Sequence, residues 1–580
     1  MLFRCFSIVF FSLFLTISGC TTQSQFFQEN TPPTSNFSTY IDTLFASEAS
    51  SNTLSLHYSI INPTAYGITE HEITLGHFSK EALQESLSLT EQELATLHSF
   101  SYDSLTKEEQ FTYDILEAAL SLSLTSEGME LYHEQLSPTT GIQAQLPLLL
   151  AEYRLETKKD ITTYLSLLPC IYTYFSDLAM YEKERSEAGL FMSDAVADTI
   201  IAQCEAFIEE PEKNFLITYF NEKISALSIL SPTECMEYQI ENTKQVFRYV
   251  IPAYELLINT LTELKGTGRG EYGLCYYPLG RDYYKYLVYQ NTGTSKTIDE
   301  LKNLLETTLS ENLNFLKNTI LETPSFYTQY ITFQYPMTEP METLSYLQTA
   351  IQETFPTPAK ASCEIRYVHD SLEDYVSPAM YFVPPIDGYE KNCIYINQSP
   401  MYDRSKLFPT LAHEGYPGHL YQHTYFLDTN PEPIRCLLNF SGYDEGWATY
   451  AESLSYYLAD LEKPLADFLK ANLISTLCLY SLTDIYIHYD GFSKEDTIAL
   501  LNEYGISKEI ADSMFYTLLA EPTMYHPYTI GYLELLELKE LYRFFTKDMY
   551  RDLDFHTFIL NAGPAPFEIL EKYLWISFIK

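Results

Sequence analysis

A mainly α-helical fold carrying one small β-sheet is what this 580-residue sequence predicts. Three observations point there. Ile161, Tyr164, Leu165, Leu168, Ile171, Tyr172, Phe175 and Leu178 recur at helical spacing between Asp160, a start signal, and Gly189, a stop. Thr297-Ile-Asp-Glu300 is a capping box, whose hydroxyl and carboxylate satisfy the first free amides, ahead of Ile298, Leu301, Leu305, Leu309, Leu316 and Ile320. Two-residue alternation is confined to Cys363 to Val368 and Asn392 to Asn397, separated by turn-forming Pro384-Pro385 and Asp387-Gly388.

The N-terminus stands outside that fold. Arg4, an apolar run from Phe6 to Leu15, and Ile17-Ser18-Gly19-Cys20 have the charged, hydrophobic and small-residue regions of a secretory signal over residues 1–19. The last four residues resemble a bacterial lipobox. That resemblance implies cleavage before Cys20, lipid on its sulfur, and an exported protein anchored to a membrane of the bacterial cell envelope; an ordinary secretory signal or an uncleaved anchor is the alternative. Residues 20–36 form a flexible tether rich in Thr, Ser, Gln and Pro. The body, 37–580, exceeds the roughly 250 to 300 residues that one core serves, which implies two lobes or one large helical assembly. Gly266, Gly268, Gly270 and Gly273 interrupt the helical pattern, so a soft boundary falls near 265–273 unless this is a loop inside one domain.

Composition excludes whole classes. A net charge of −43 repels nucleic acid and anionic headgroups, and a nucleic-acid binder is ruled out. With 46% apolar residues the chain is not disordered. Eight cysteines remain after Cys5 and Cys20, scattered singly from Cys170 to Cys478 without a CxxC pair, so free thiols are expected, with room for one or two bridges.

The chemistry concentrates in Leu411-Ala-His-Glu-Gly-Tyr-Pro-Gly-His-Leu-Tyr-Gln-His423. Neutral imidazoles are the commonest metal ligands, and a carboxylate beside one is what a metal-assisted hydrolase needs to take a proton from water. Glu414 is that carboxylate. His413 and His419 are six apart and would diverge by about 240° on an ideal helix. Gly415, Pro417 and Gly418 allow two residues to bulge outward and return His419 to the face of His413. The competing pair, His419 and His423, is already four apart but leaves Glu414 away from its place beside a ligand. A third ligand is expected at Glu445, in Tyr443-Asp-Glu-Gly-Trp-Ala-Thr-Tyr-Ala-Glu452. Glu452, seven residues on and on the same helical face, is placed to orient a ligating histidine.

These two segments together resemble the bacterial family known as domain of unknown function 885. Leu105 to Leu116, Pro147 through Asp160 to Gly189, Tyr283 to Leu301, and Met380-Tyr-Phe-Val-Pro-Pro with Tyr395-Ile-Asn397 look like family segments too. The family is in turn similar to helical zinc peptidases of the HExxH-plus-Glu type, such as thimet oligopeptidase and carboxypeptidase Taq. The likeness implies a large helical zinc-peptidase-like fold with its small sheet beside the active-site cleft. It also implies one zinc ion on His413, His419 and Glu445, and Glu414 as general base. The sequence departs from the family at Leu420, where a further histidine is common, and from the peptidases in its six-residue spacing.

Related helical peptidases hold the oxyanion with Tyr or His from a late segment, so Tyr528 and His526, in Tyr525-His526-Pro-Tyr528-Thr-Ile-Gly531, are the expected donors. The second alternating segment is expected either to present an edge to an extended peptide, with Asn397 and Tyr395 as substrate-binding residues, or to be an inner strand with a capped end. The resulting expectation is a zinc metallopeptidase acting on peptides, with metal-bound water activated by Glu414. A zinc amidase or esterase, and a non-catalytic peptide-binding or scaffolding lipoprotein on a peptidase-like fold, are the alternatives.

Overall fold

Helices form where the caps and the apolar spacing ask for them. In the computed structural model, which describes residues 36–578 except 269, 336, 369–372, 374–376, 401 and 403–405, helices account for 70% of the structure. The signal segment, Cys20 and the tether up to residue 35 lie outside the described residues. The helix expected after Asp160 runs Lys158–Glu187: Thr157 is its N-cap, and Asp160 returns a carboxylate to the Thr157 amide at 2.7 Å. Thr297 and Glu300 form the second capping box, and Ile298–Glu322 buries Leu301, Leu305 and Leu309 on one face.

Strands β1 (Ser362–Tyr367), β2 (Ala379–Phe382) and β3 (Lys391–Ile396) form one sheet in the order β1-β3-β2. β1 is parallel to β3 and β2 antiparallel to it, with Ile394 opposite both Ile365 and Tyr381. Of the two readings open for 392–397, the inner strand is the one observed. β3 is the inner strand, its backbone bonded on both sides, and it offers no edge to a peptide.

Two large apolar cores carry the helices. One gathers residues from Leu54 to Leu261 around Lys158–Glu187 and Ile251–Leu264. The other takes Ile115 and residues from Tyr284 to Leu574, around Ser441–Leu458, Lys463–Ile485 and His526–Thr546. The glycine-bearing stretch 265–273 lies between them in sequence, with Gly266 and Gly270 at positive φ. The eight cysteines from Cys170 to Cys478 all hold free thiols.

Candidate metal centre

The histidine segment breaks its helix rather than bulging it. Helix Leu407–Glu414 stops at Gly415, a cis Tyr416–Pro417 peptide follows, and a new helix begins at His419 and runs to Asp428. Close approach explains the glycines: a Cβ on Gly418 would lie 1.7 Å from the His413 carbonyl oxygen. One on Gly415 would lie 2.4 Å from Leu344 Cδ2 and 2.8 Å from the Leu411 carbonyl. The break is held by Gly418 N donating to the Ala412 carbonyl at 2.9 Å and by Trp447 Nε1 donating to the Pro417 carbonyl at 2.8 Å.

Trp447 belongs to helix Ser441–Leu458, which crosses helix His526–Thr546 at backbone contact. A Cβ on Gly446 would fall 2.3 Å from the Gly531 carbonyl carbon, and one on Gly531 would fall 2.0 Å from the Gly442 oxygen. Gly446 and Gly531 thus bring Glu445, the neighbour of Gly446, up against the start of the second helix, where Tyr528 sits.

His413, His419 and Glu445 converge as a result. Glu445 Oε2 lies 3.5 Å from His413 Nε2 and 3.5 Å from His419 Nε2, and one ligand atom from each residue falls within 4.8 Å of the others. Donors about 2.1 Å from a shared zinc ion at the tetrahedral angle stand about 3.4 Å apart, which the two histidine–glutamate separations match. All three are buried, at 2%, 8% and 3% exposure, which makes an unshared carboxylate and two imidazoles costly here without a cation or protons between them. Glu452 Oε2 lies 3.2 Å from His413 Nδ1, turning the other ring nitrogen toward the cluster. His423, the competing ligand, is not part of the group.

The charges follow from burial and crowding. Burial opposes a proton on His413, but hydrogen bonds to Glu445 and Glu452 and the charge of Glu414 outweigh it and raise the imidazole to about 10. Burial lowers His419, while Glu445 is held below its ordinary value because the imidazoles outweigh its burial. Burial raises Glu414 to about 8, against the opposing pull of His413. Glu414 Oε2 accepts the backbone N–H of Tyr381 in β2 at 2.7 Å. Sequence reasoning missed this contact, since a backbone amide carries no residue signature.

A cavity of about 550 Å³ reaches Glu445 and Tyr528 from one side, and a small pocket of about 70 Å³ reaches Glu445, His419, His423 and Tyr381 from the other. The Tyr528 ring stacks over His413 with centroids 6.2 Å apart. His526 lines neither cavity: it is wholly buried, with Nε2 3.0 Å from Tyr284 Oη, whose hydroxyl also donates to Asp484 at 2.5 Å. Asn397 is buried as well, donating to the Glu373 carbonyl at 2.7 Å and accepting from Ser399 N at 2.9 Å, as a capped strand end does. Tyr395 donates to Glu152 at 2.6 Å. Neither residue lines the two cavities.

A family model described as "Bacterial protein of unknown function (DUF885)" matches residues 61–574. The chain belongs to the DUF885 family. Comparison of this DUF885 chain with curated proteins gives no match. Among solved structures it is similar to a "putative lipoprotein from Colwellia psychrerythraea", with a TM-score of 0.82 at 17% identity, over 93% of this chain and 98% of that one. It is also similar to a "putative lipoprotein of unknown function from Shewanella oneidensis", with a TM-score of 0.61 at 16% identity, over 93% and 100%. At these identities the likeness establishes the fold.

Proposed function

We propose that this DUF885 chain is a zinc-dependent hydrolase of peptide bonds, built on a helical zinc-peptidase-like fold and tethered by lipid at Cys20 to the outer face of a bacterial envelope membrane. The observation that carries the chemistry is the convergence of His413, His419 and Glu445 at separations suited to one tetrahedral cation, with Glu414 adjacent. The anchoring rests on Ile17-Ser18-Gly19-Cys20 and is supported by the description of both structural relatives as lipoproteins.

His413, His419 and Glu445 would hold the ion. When bound, zinc supplies a Lewis acid that polarises a carbonyl and acidifies water. Glu414 takes the proton from the attacking water and returns it to the leaving amine. Burial favours the protonated form of the carboxyl, which suits it to take up that proton. The Tyr381 amide fixes one carboxylate oxygen and leaves the other for that work. Tyr528, on the wall of the larger cavity, donates its hydroxyl to the developing oxyanion. Glu452 is a positioning residue, acting through His413. An amide or ester other than a peptide would meet the same groups, so the cavity and not the centre decides the acyl group.

The test is metal analysis of the full chain together with Glu414→Gln and a mixed peptide library. One zinc per chain is expected in both proteins. Turnover is expected in the parent and should fall roughly 10²- to 10⁴-fold in the variant. Zinc without turnover in either would replace this reading with a peptide-binding or scaffolding lipoprotein.

A further inference from the structure

Helices His526–Thr546 and Phe567–Phe578 share an aromatic outer surface. Phe545 packs its ring against Trp575, with centroids 4.6 Å apart, and against Phe578, at 5.1 Å. Phe544 meets Phe545 at 5.6 Å, and Tyr542 meets Phe578 at 5.5 Å. The five rings form one continuous group whose outer members face solvent: Phe544 is 67% exposed and Trp575 38%, with Met549, just beyond the first helix, at 78%. Single exposed apolar side chains are ordinary on a protein surface, whereas a joined group of them marks a contact face. Trp575 Nε1 donates to Glu571 at 3.2 Å, so the polar edge of the indole is turned to a carboxylate while its faces stay apolar.

Charge and position single out the same region. The chain carries −43, but residues 541–580 hold five basic and five acidic side chains and are neutral, so this face alone is spared the repulsion that the rest of the surface meets at headgroups. Helix Phe37–Ala49, which follows the tether, sets the Phe37 ring 6.4 Å from that of Tyr113. The next residue, Asp114, accepts from Lys572 Nζ at 2.7 Å and from Tyr573 Oη at 2.9 Å, on the helix that bears Trp575 and Phe578. Lys572 and Phe578 are about 9 Å apart along a helix axis. The 16 steps from Cys20 to Asn36 span at most about 55 Å, so a lipid on Cys20 holds this face within reach of the bilayer that takes it.

We propose that the aromatic face around Phe544, Phe545, Trp575 and Phe578 lies on the lipid interface of the bilayer that holds Cys20. The inference rests on the anchored reading above and deepens it: the tether limits the distance of the body from the membrane, and this face fixes its orientation. Tryptophan and phenylalanine suit that interface, where apolar rings enter the acyl boundary and polar edges stay hydrated. A weak contact is enough, because the tether presents the face at a high effective concentration.

The chain has two tryptophans and Trp447 is fully buried, so contact quenching from lipid reads Trp575. The full chain, matured in a bacterial host, is placed in saturating phosphatidylcholine vesicles with plain or brominated acyl chains. The emission due to Trp575, obtained by subtracting that of Trp575→Phe, is expected to be lost in brominated lipid, while the emission of Trp575→Phe itself is unchanged. Phe544→Asp with Met549→Asp, at two positions too exposed to support the core, puts charge on the face and should restore the emission without moving the unfolding midpoint. Unquenched Trp575 in the parent overturns the proposal, as does quenching that the double variant keeps. Unquenched emission with a dimer in chemical cross-linking on the vesicles would give the face to a second copy of the chain. Mass spectrometry of the N-terminal peptide judges the lipid on Cys20 separately, so a chain without that lipid loses the anchor and the face is still decided by quenching.

Discussion

Two buried clusters in the second core pair histidine with carboxylate, and they are built to opposite ends. Around His413, the Glu445 oxygen stands 3.5 Å from each of two imidazole nitrogens, too long for strong hydrogen bonds and close to the spacing of donors around one ion. Around His526, the distances are 2.5 Å from Tyr284 to Asp484, 3.0 Å from Tyr284 to His526 and 2.9 Å from Thr523 N to Asp484. The second cluster closes Tyr284 onto both His526 and Asp484 and ties the turn before Tyr528 to the core, with His526 Nδ1 left without a hydrogen-bond partner. The first leaves a common point among its donors. Residue type, burial and histidine–carboxylate separation are shared, at 3.5 Å in the first and 3.7 Å in the second, so the Tyr284 hydroxyl bonded to both His526 and Asp484 is what distinguishes the internal anchor from the candidate ligand site.

The strongest way to break this contrast is to remove one histidine from each. His419→Ala should lose stoichiometric metal and turnover, whereas His526→Ala should keep one metal per chain by elemental analysis; equal metal loss from both would erase the distinction. Next in size is Glu452→Gln, which weakens the hold on His413 Nδ1 and should reduce metal affinity about 10- to 100-fold in competition with a chelator, with the ligands intact. Tyr284→Phe should cost about 1 to 2 kcal/mol in denaturant unfolding while leaving metal affinity unchanged, because it strips a donor from buried Asp484 and touches no ligand.

The narrowest test is a pH dependence confined to the anchor. Burial raises Asp484 to about 7, so the folded chain holds this proton more tightly than the unfolded chain does. Its contribution to stability is fully present below the ordinary carboxylate range and is lost as pH rises through about 7, with a slope of at most about 1.4 kcal/mol per pH unit. Asp484→Asn cannot lose that proton. Unfolding midpoints between pH 4 and 8 should therefore show the variant gaining on the parent as pH rises; a constant difference would mean that Asp484 does not titrate in the fold.

Much of the helical framework was legible because its signals are local. Thr157 with Asp160 and Thr297 with Glu300 cap their helices through bonds that span three residues, and no distant contact is needed to read them. β2 was not read as a strand, because four residues show little period and become a strand only by pairing with β3. The candidate metal cluster was legible in residue type and in the Gly-Tyr-Pro-Gly interruption. The form of the interruption was not: a bulge within one helix and a break between two both bring His419 back.

By itself the sequence determined the helical class, the charge that excludes nucleic acid, and the three ligand types near Glu414, for these depend on periodicity, composition and short spacing. Tertiary structure alone decided that His419 and not His423 joins His413, that Asn397 ends an inner strand, and that Tyr528 faces the cavity while His526 is sealed beneath it. The physical reason is that each of those outcomes turns on a contact between segments far apart in the chain. Chief among them is the crossing of Gly442 and Gly446 over Gly531, where the absence of Cβ atoms at Gly446 and Gly531 lets two backbones touch and so sets where Glu445 and Tyr528 meet.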